Sequence, residues 1–385
     1  MKIFHTADWH LGKLVQGTYM TEDQRFVLQQ LVQHIEREKP DAVIVAGDLY
    51  DRALPPVDAV ELLNTLLEDI VLEHDTPLLA IAGNHDSSTR IQFGSSLLKK
   101  AGLHVVGELA HAFEPTVFHD EFGEVHMYLL PFVDAAQVKH YFKDDAITSP
   151  QAAMARITAH YDTILHPDAR NVLVAHAFVT KHGEEQGNTS DSERTLNVGG
   201  SDCVDAHLFH AFDYVALGHL HEAHFVLRDT IRYAGSPLKY SISEEKHKKG
   251  YLMVTLREKE NVAVEKVLLE PRRDMRTVEN TLANILKMAR SDDYVFVKLL
   301  DEQAVQSPME QVRSVFPNAL HVERVVTTKQ ESVAARAERS KMSTPQLFAA
   351  FIEDMTGEAA TPSMEALFND VLHDTMRTER EVTEK

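Results

Sequence analysis

Seven oxygen and nitrogen donors stand out in this chain: Asp8, His10, Asp48, Asn84, His176, His219 and His221. Each follows or ends a short apolar run. No thiolate is among them, so a zinc-finger type of site is excluded. Seven donors exceed what one ion takes from protein. They suit two adjacent divalent ions sharing a carboxylate. Asp48 is the expected bridge, because the run before it reads as the most buried strand. Asn84 offers a neutral amide oxygen and leaves net positive charge on the pair. That charge attracts a phosphate and lowers the pKa of a shared water. The chemistry this set predicts is in-line attack of the activated water on phosphorus, with both ions holding the oxygens.

Taken singly, each motif has an ordinary reading. An Asp after a strand is often a turn residue or helix cap. Gly83-Asn84 alone favours a turn. Gly218-His219-Leu220-His221 is stronger, because both imidazoles project from one side of an extended segment. Recurrence carries the argument: five apolar runs end in donors. Most of the 22 histidines are not ligands. His5 reads as core and His224 as a candidate behind the site. His104, His111, His119, His126, His160 and His166 read as packed or solvated. Trp9, the only Trp, is expected to pack the wall of the site.

The runs that position these donors read as strands of an α/β fold. Residues 2–7, 41–46, 78–82, 171–175 and 213–217 are short, apolar and rich in β-branched residues, as in parallel strands covered on both faces. Open α/β sheets place their ligands at the C-terminal edges of such strands. Residues 21–38 show helical spacing through Phe26, Val27, Leu31 and Ile35, and 58–72 through Val60, Leu63, Leu66, Leu67 and Ile70. Helices are also expected at 95–101 and 151–165. Strands are expected between 105 and 131, clearest at 125–130, and at 223–227, 230–234 and 251–256. The prediction is two sheets packed face to face with helices outside. A small α+β module should follow Pro271. It has a helix through Val278, Leu282, Ile285 and Leu286, strands at 294–300 and 320–326, and a helix capped by Ser307 before Pro308. The expected domains are 1–270, 271–326, a polar linker at 327–342, and a helical segment at 343–385.

Composition sets further bounds. Hydrophobic content of 44% and charged content of 25% are those of a globular protein. No apolar run approaches a membrane span, and no signal peptide is read. The single Cys203 excludes an internal disulfide and fits a cytoplasmic location. A net charge of −20 excludes a basic nucleic-acid coat. Action on DNA would need metals, a basic patch or a partner to offset the repulsion. Lys239, Lys246, Lys248, Lys249, Arg272 and Arg273 are candidate phosphate contacts.

In order and context, Asp8-Trp9-His10, Gly47-Asp48 with Asp51, Gly83-Asn84-His85-Asp86, His176 and Gly218-His219-Leu220-His221 resemble the calcineurin-like metallophosphoesterase superfamily. Three further stretches resemble its SbcD branch, nuclease subunits of bacterial complexes with an SMC-like ATPase. They are Ser192-Glu193-Arg194-Thr195-Leu196-Asn197-Val198-Gly199-Gly200, Tyr214-Val215-Ala216-Leu217-Gly218-His219-Leu220-His221, and Tyr233-Ala234-Gly235-Ser236-Pro237-Leu238-Lys239-Tyr240-Ser241, together with Gly83-Asn84-His85-Asp86 extended to Ser87. The resemblance implies one ion on Asp8, His10, Asp48 and His221, and another on Asp48, Asn84, His176 and His219. It implies that His85 acts on the scissile phosphate and Asp51 orients substrate. Asp86 is expected to orient a ligand imidazole. Manganese is the implied metal, consistent with mixed carboxylate and imidazole donors. The implied activity is double-strand exonuclease and hairpin endonuclease action in DNA repair and recombination, by a homodimer within a heterotetramer. A stand-alone phosphoesterase for nucleotides or phosphoproteins is the alternative, and it leaves the C-terminal residues unexplained.

Those residues carry two more start signals. Thr344-Pro345 precedes a stripe of Leu347, Phe348, Phe351, Ile352 and Met355, with Gly357 as its stop. Thr361-Pro362 precedes Met364, Leu367, Phe368, Val371 and Leu372. The stripes could bury each other. By resemblance, 343–385 grips the coiled coil of the ATPase.

Overall fold

The computed structural model describes residues 1–183, 191, 203–325, 342–356 and 359–383. The 192–200 motif, nearly all of the expected linker and Gly357 lie outside them. Two units are present, residues 1–324 and 325–385.

Two six-stranded sheets dominate the first unit. One runs, in spatial order, Val262–Leu268, Gly250–Leu256, Lys2–Thr6, Ala42–Val45, Leu78–Ile81 and Leu103–Val106. The last four are parallel, and the first two close one edge as antiparallel strands. The other runs His224–Val226, Arg228–Tyr233, Tyr214–Gly218, Arg170–His176, Gly123–Leu130 and Thr116–Asp120, with its middle four strands parallel.

Side-chain alternation decides what each face buries. Ala42 and Ile44 point into the space between the sheets, where they meet Val172, Val174 and Ala216. Val43 and Val45 point the other way, onto Leu28, Leu31, Leu62 and Leu66 of helices Thr21–Glu38 and Val57–Leu67. Leu173, Ala175, Val215 and Leu217 cover Met154, Ile157 and Tyr161 of helix Pro150–Tyr161. The result is four layers, helix–sheet–sheet–helix. Burial on both faces is why these strands are continuously apolar.

Several elements differ from the sequence reading. Phe26 and Val60 are exposed, since the buried stripes centre on Leu28 and Leu62 instead. Helix Val57–Leu67 passes into a π-helical turn, Glu68–Glu73. Val278 belongs to a strand, Met275–Asn280, and only Leu282–Ile285 is helical. Parallel pairing with Tyr294–Leu299 decides this, overriding a helical spacing that Val278 happens to share. Ser307 adopts a left-handed φ of 45° and makes no side-chain cap, so helix Pro308–Arg313 begins on its proline. Helix Ala135–Phe142 was not anticipated, although Asp134 and Gln137 form a full capping box at its start.

Met275–Asn280, Tyr294–Leu299 and Ala319–Arg324 form a parallel three-stranded sheet with its own core around Val278, Ile285, Val297, Val312 and Phe316. It docks through an apolar cluster of Val15, Met20, Met275 and Tyr294 and through polar contacts. Asp23 Oδ2 accepts from Arg273 at 2.8 Å and from the Tyr294 hydroxyl at 2.7 Å. Lys239 donates to Asp274 at 2.8 Å, and the Thr277 hydroxyl to Glu245 at 2.7 Å.

The second unit holds helices Thr344–Thr356 and Pro362–Thr383. Thr344 is inside its helix rather than capping it. Ser343 precedes it, and its N–H donates to the Gln346 side chain at 2.8 Å. Phe348 and Phe368 stack at 4.1 Å, while Leu347, Phe351, Met364 and Leu367 are exposed.

The layered core predicts a sharp contrast between two truncations. Ile44→Ala, between the sheets, should cost about 2–5 kcal/mol. Leu268→Ala, on an exposed edge strand, should stay within about 0.5 kcal/mol. Urea unfolding followed by circular dichroism measures both; equal costs would contradict the packing described.

Candidate metal centre

All seven donors lie where parallel strands end on one side of the two sheets. Asp8 follows Lys2–Thr6, Asp48 follows Ala42–Val45, and Asn84 follows Leu78–Ile81. His176 ends its strand, and His219 and His221 follow Tyr214–Gly218. The first two turns bond directly to each other. Asp8 N–H donates to Gly47 O at 3.1 Å, His10 N–H to Asp48 O at 2.9 Å, and Leu11 N–H to Leu49 O at 3.0 Å. Asp8, His10, Asp48 and His219 hold φ values of 53°, 46°, 50° and 106°. Such backbone costs a non-glycine residue about 1–3 kcal/mol, and it persists only where surrounding bonds enforce it. Glycine is required where the turns touch. A Cβ on Gly218 would lie 1.8 Å from Ala46 O, and one on Gly83 2.1 Å from Asp48 Oδ1.

The donor atoms converge as two overlapping groups. In the first, Asp8, His10 and His221 lie within mutual reach, with His10 Nε2 3.1 Å from His221 Nε2 and 3.6 Å from Asp48 Oδ2. In the second, His176 Nε2 is 2.9 Å from Asn84 Oδ1 and 3.4 Å from Asp48 Oδ2, and His219 Nδ1 is 3.3 Å from Asn84 Oδ1. Asp48 Oδ2 belongs to both. Its other oxygen accepts the His85 N–H at 2.9 Å. Asp8 accepts the His219 N–H at 2.9 and 3.1 Å.

The placement of protons shows that the groups fit cations. His176 Nδ1 lies 2.9 Å from the Ala46 carbonyl, which can only accept, so this nitrogen carries a proton. His176 Nε2 faces Asn84 Oδ1, an acceptor, so in the metal-free protein this nitrogen also carries a proton, which a metal would displace. His221 Nδ1 lies 3.0 Å from Glu244 Oε1, which leaves its Nε2 lone pair facing His10. A proton bridges each pair in the metal-free protein, and a cation fits the same position with the proton displaced. Adjacent ligands on metal bonds of about 2.1 Å sit about 3 Å apart, as these pairs do.

Without a cation the charges are ill matched. Burial raises Asp8 to about 7, and it lowers His219 to about 3 and His10 well below its ordinary value. Burial also works against charge on His176 and Asp48. Their mutual attraction outweighs it, lifting His176 to about 9 and holding Asp48 well below the usual carboxylate range. Burial opposes the Glu244 carboxylate too, but Lys249 and His221 keep it ionised.

Residues 1–223 match the calcineurin-like phosphoesterase family model. Residues 271–356 match the SbcD C-terminal model, described as the type 5 capsule protein repressor C-terminal domain. The SbcD subunit of the SbcCD nuclease from Staphylococcus epidermidis is 34% identical over 362 residues, covering 93% of this chain and 94% of that protein. Its namesake from Staphylococcus saprophyticus is 32% identical over 366 residues, covering 94% and 95%. The chain belongs to the SbcD family of calcineurin-like phosphoesterases. Divalent metal ions are its cofactors, in keeping with that family and with the donor clusters.

Around the donors of this SbcD-family chain, the supporting residues are partly new. His85 is half-buried, and its Nδ1 donates to the Asp51 carbonyl at 2.8 Å. The Asp51 carboxylate pairs with Lys13 at 2.7 Å and lies 3.7 Å from His10 Nδ1. Asp86, expected on an imidazole, instead accepts backbone N–H groups of Leu49, Tyr50 and Gly83 at 3.1, 3.0 and 2.9 Å. It fastens two turns together. The carboxylate on an imidazole is Glu244, which the sequence reading missed. Gln24 was also missed; it donates to the carbonyls of Trp9 and His10 at 3.0 and 2.8 Å. No spacing rule marks either residue, since each reaches the site from a distant segment. Trp9 is fully buried as expected. His224 stacks on Tyr233, away from the donors. Lys249 is buried against Glu244 and cannot be the DNA contact expected of it; Arg273 and Lys239 are paired with Asp23 and Asp274.

The proton inventory gives a signed prediction. His176, lifted to about 9, is protonated at pH 7, and Asp8 at about 7 is partly so. Metals displace these protons. Proton release on loading should therefore be present at pH 7 and fade as pH rises through 9, with affinity rising over the same interval. Titration calorimetry with Mn2+ in buffers of different ionisation enthalpy reads this; buffer-independent heats at pH 7 would contradict it.

Proposed function

We propose that this chain is the metal-dependent DNA nuclease subunit of an SbcCD-type complex, a two-metal phosphodiesterase acting on DNA ends and hairpins. The observation that carries the reading is the convergence of seven donors from five strand ends into two groups sharing Asp48 Oδ2. Relatives named as nuclease subunits match along nearly the whole chain. A stand-alone phosphoesterase would need only the part matched by residues 1–223 and leaves the 271–356 match without a use.

Asp8, His10, Asp48 and His221 would hold one ion, and Asp48, Asn84, His176 and His219 the other, with manganese the proposed metal. Bound there, the ions polarise the phosphodiester and activate water at neutral pH. The protein's own groups do the rest. The Asp51 carbonyl fixes the proton on His85 Nδ1 and leaves Nε2 for the substrate. In its doubly protonated form His85 would turn an Nε2–H toward the substrate, where it would stabilise the developing charge or pass that proton to the leaving oxygen and be left neutral. The zipped turns and Gln24 hold the strained ligands, so geometry is set before substrate arrives.

The proposed organisation places the nuclease domain at 1–270, a capping domain at 271–326, a linker at 327–342 and a partner segment at 343–385. The last presents Leu347, Phe351, Met364 and Leu367 outside the Phe348–Phe368 stack, apolar side chains suited to the coiled coil of an SMC-like ATPase. A homodimer within a heterotetramer, working in the cytoplasm, completes the proposal. Among the described residues no helix is long and apolar enough to cross a membrane.

His85→Ala should lower cleavage of linear duplex DNA by about 10²–10⁴-fold, the usual size of a general-acid contribution, while both ions still bind. Activity and metal content from one preparation decide it; loss of an ion would make His85 a ligand. Deleting 343–385 should leave manganese-dependent cleavage of simple ends largely intact and abolish co-purification with the ATPase. Full-affinity assembly by the truncated chain would move the interface onto residues 1–342.

A further inference from the structure

The four ligand imidazoles are not supported alike. His176 Nδ1 has a neutral partner, the Ala46 carbonyl. His219 turns Nδ1 itself toward Asn84. His10 Nδ1 has no hydrogen-bond partner, its closest carboxylate oxygen being Asp51 Oδ1 at 3.7 Å. His176 Nδ1 also lies 3.9 Å from Asp8 Oδ1, but His221 alone among them hydrogen-bonds a buried carboxylate through Nδ1, Glu244 Oε1 at 3.0 Å.

That anion is held by a built network. Lys249 Nζ donates to Glu244 Oε2 at 2.5 Å, to the His221 carbonyl at 2.8 Å and to Ser236 Oγ at 2.8 Å. Ser236 N–H returns to the His221 carbonyl at 3.3 Å, and Ser236 Oγ donates to Leu238 O at 2.7 Å. Lys249 thus holds both the backbone of His221 and the carboxylate on its ring. His221, Ser236 and Glu244 are at most 1% exposed, and Lys249 is 7%. Glu244 ends a short 3-10 turn, Ile242–Glu244, and the next residue, Glu245, is tied by Thr277 to the three-stranded sheet. A buried ion pair is a costly way to fill space, since apolar residues of similar volume are often no less stabilising. Its direct contact with a donor imidazole points to a positional role.

We propose that Glu244 and Lys249 are positioning residues for the His10–His221 metal position: Glu244 holds the His221 proton on Nδ1 so that Nε2 faces the ion, and Lys249 holds Glu244. The inference rests on the two-ion reading above. A carboxylate behind a ligating imidazole fixes its tautomer and raises its basicity, and its loss typically weakens metal binding about 10–100-fold. The contact predicts unequal ions: one position depends on this pair and the other does not.

The test uses the full chain and Mn2+ alone, by titration calorimetry with stoichiometry from the same curve. Lys249 would be left buried and unpaired in Glu244→Gln, so the informative variant is the double one, Glu244→Gln with Lys249→Met, which removes both charges. One of two sites should weaken about 10–100-fold and the other should keep its affinity. Wild-type affinity at both sites would overturn the inference and leave the pair structural. Should the double variant fail to fold, the zinc-loaded wild-type protein decides by nitrogen-15 NMR of labelled histidine. His221, assigned by loss of its signal in His221→Asn, should carry its proton on Nδ1; a proton on Nε2 overturns the inference. A wild-type protein that binds no second ion would instead sink the two-ion reading, a distinguishable failure.

Discussion

The site rests on one electrostatic constraint: imidazole nitrogens and carboxylate oxygens are held against one another out of water. His10 and His221 face each other through Nε2 at 3.1 Å, and His176 faces Asn84 at 2.9 Å. Proteins ordinarily pair such groups with donors. Here the second nitrogens of His176 and His221 are occupied from behind, so the front atoms are left for cations. The same arrangement explains the opposed shifts, with Asp8 pushed up and His219 pushed down by burial. A site of this kind is uncomfortable as protein alone and becomes coherent when positive charge is supplied.

Holding the constraint needs rigidity, and the fold supplies it in layers. Four parallel strands in each sheet bring their C-terminal edges together, and apolar packing on both faces leaves them no alternative register. Backbone bonds between the turns around Asp8 and Asp48, and the Asp86 carboxylate across three N–H groups, then hold left-handed residues that would otherwise relax. Four residues of the site thus hold left-handed backbone that the surrounding bonds enforce.

The seam between the three-stranded sheet and the catalytic layers combines an apolar cluster with directional polar ties. Asp23, Arg273 and Tyr294 form one junction, Lys239 and Asp274 another, and Glu245 and Thr277 a third. Each tie is directional. The third lies one residue from Glu244, so this sheet is joined by a short path to the His221 imidazole. Local pairing removes Lys239, Lys249 and Arg273 from the free phosphate contacts.

The primary structure alone determined the strands and the family, and it marked the candidate donors at the strand ends. Short β-branched runs and strand-end Asp, Asn and His are local signals, and their period survives any packing of the layers. Helix Thr21–Glu38 was read to its ends for the same reason. What only tertiary structure decided is where distant segments meet. Val278 became a strand because a parallel neighbour was available, and Ser307 lost its capping role to a left-handed turn. Asp86 turned to backbone and Glu244 took the imidazole, because hydrogen-bond partners 23 to 37 residues apart are assigned by the meeting of turns. Local propensity carries no information about that meeting. It is set by long-range burial, which places each carboxylate beside whichever donor the packed layers leave unpaired.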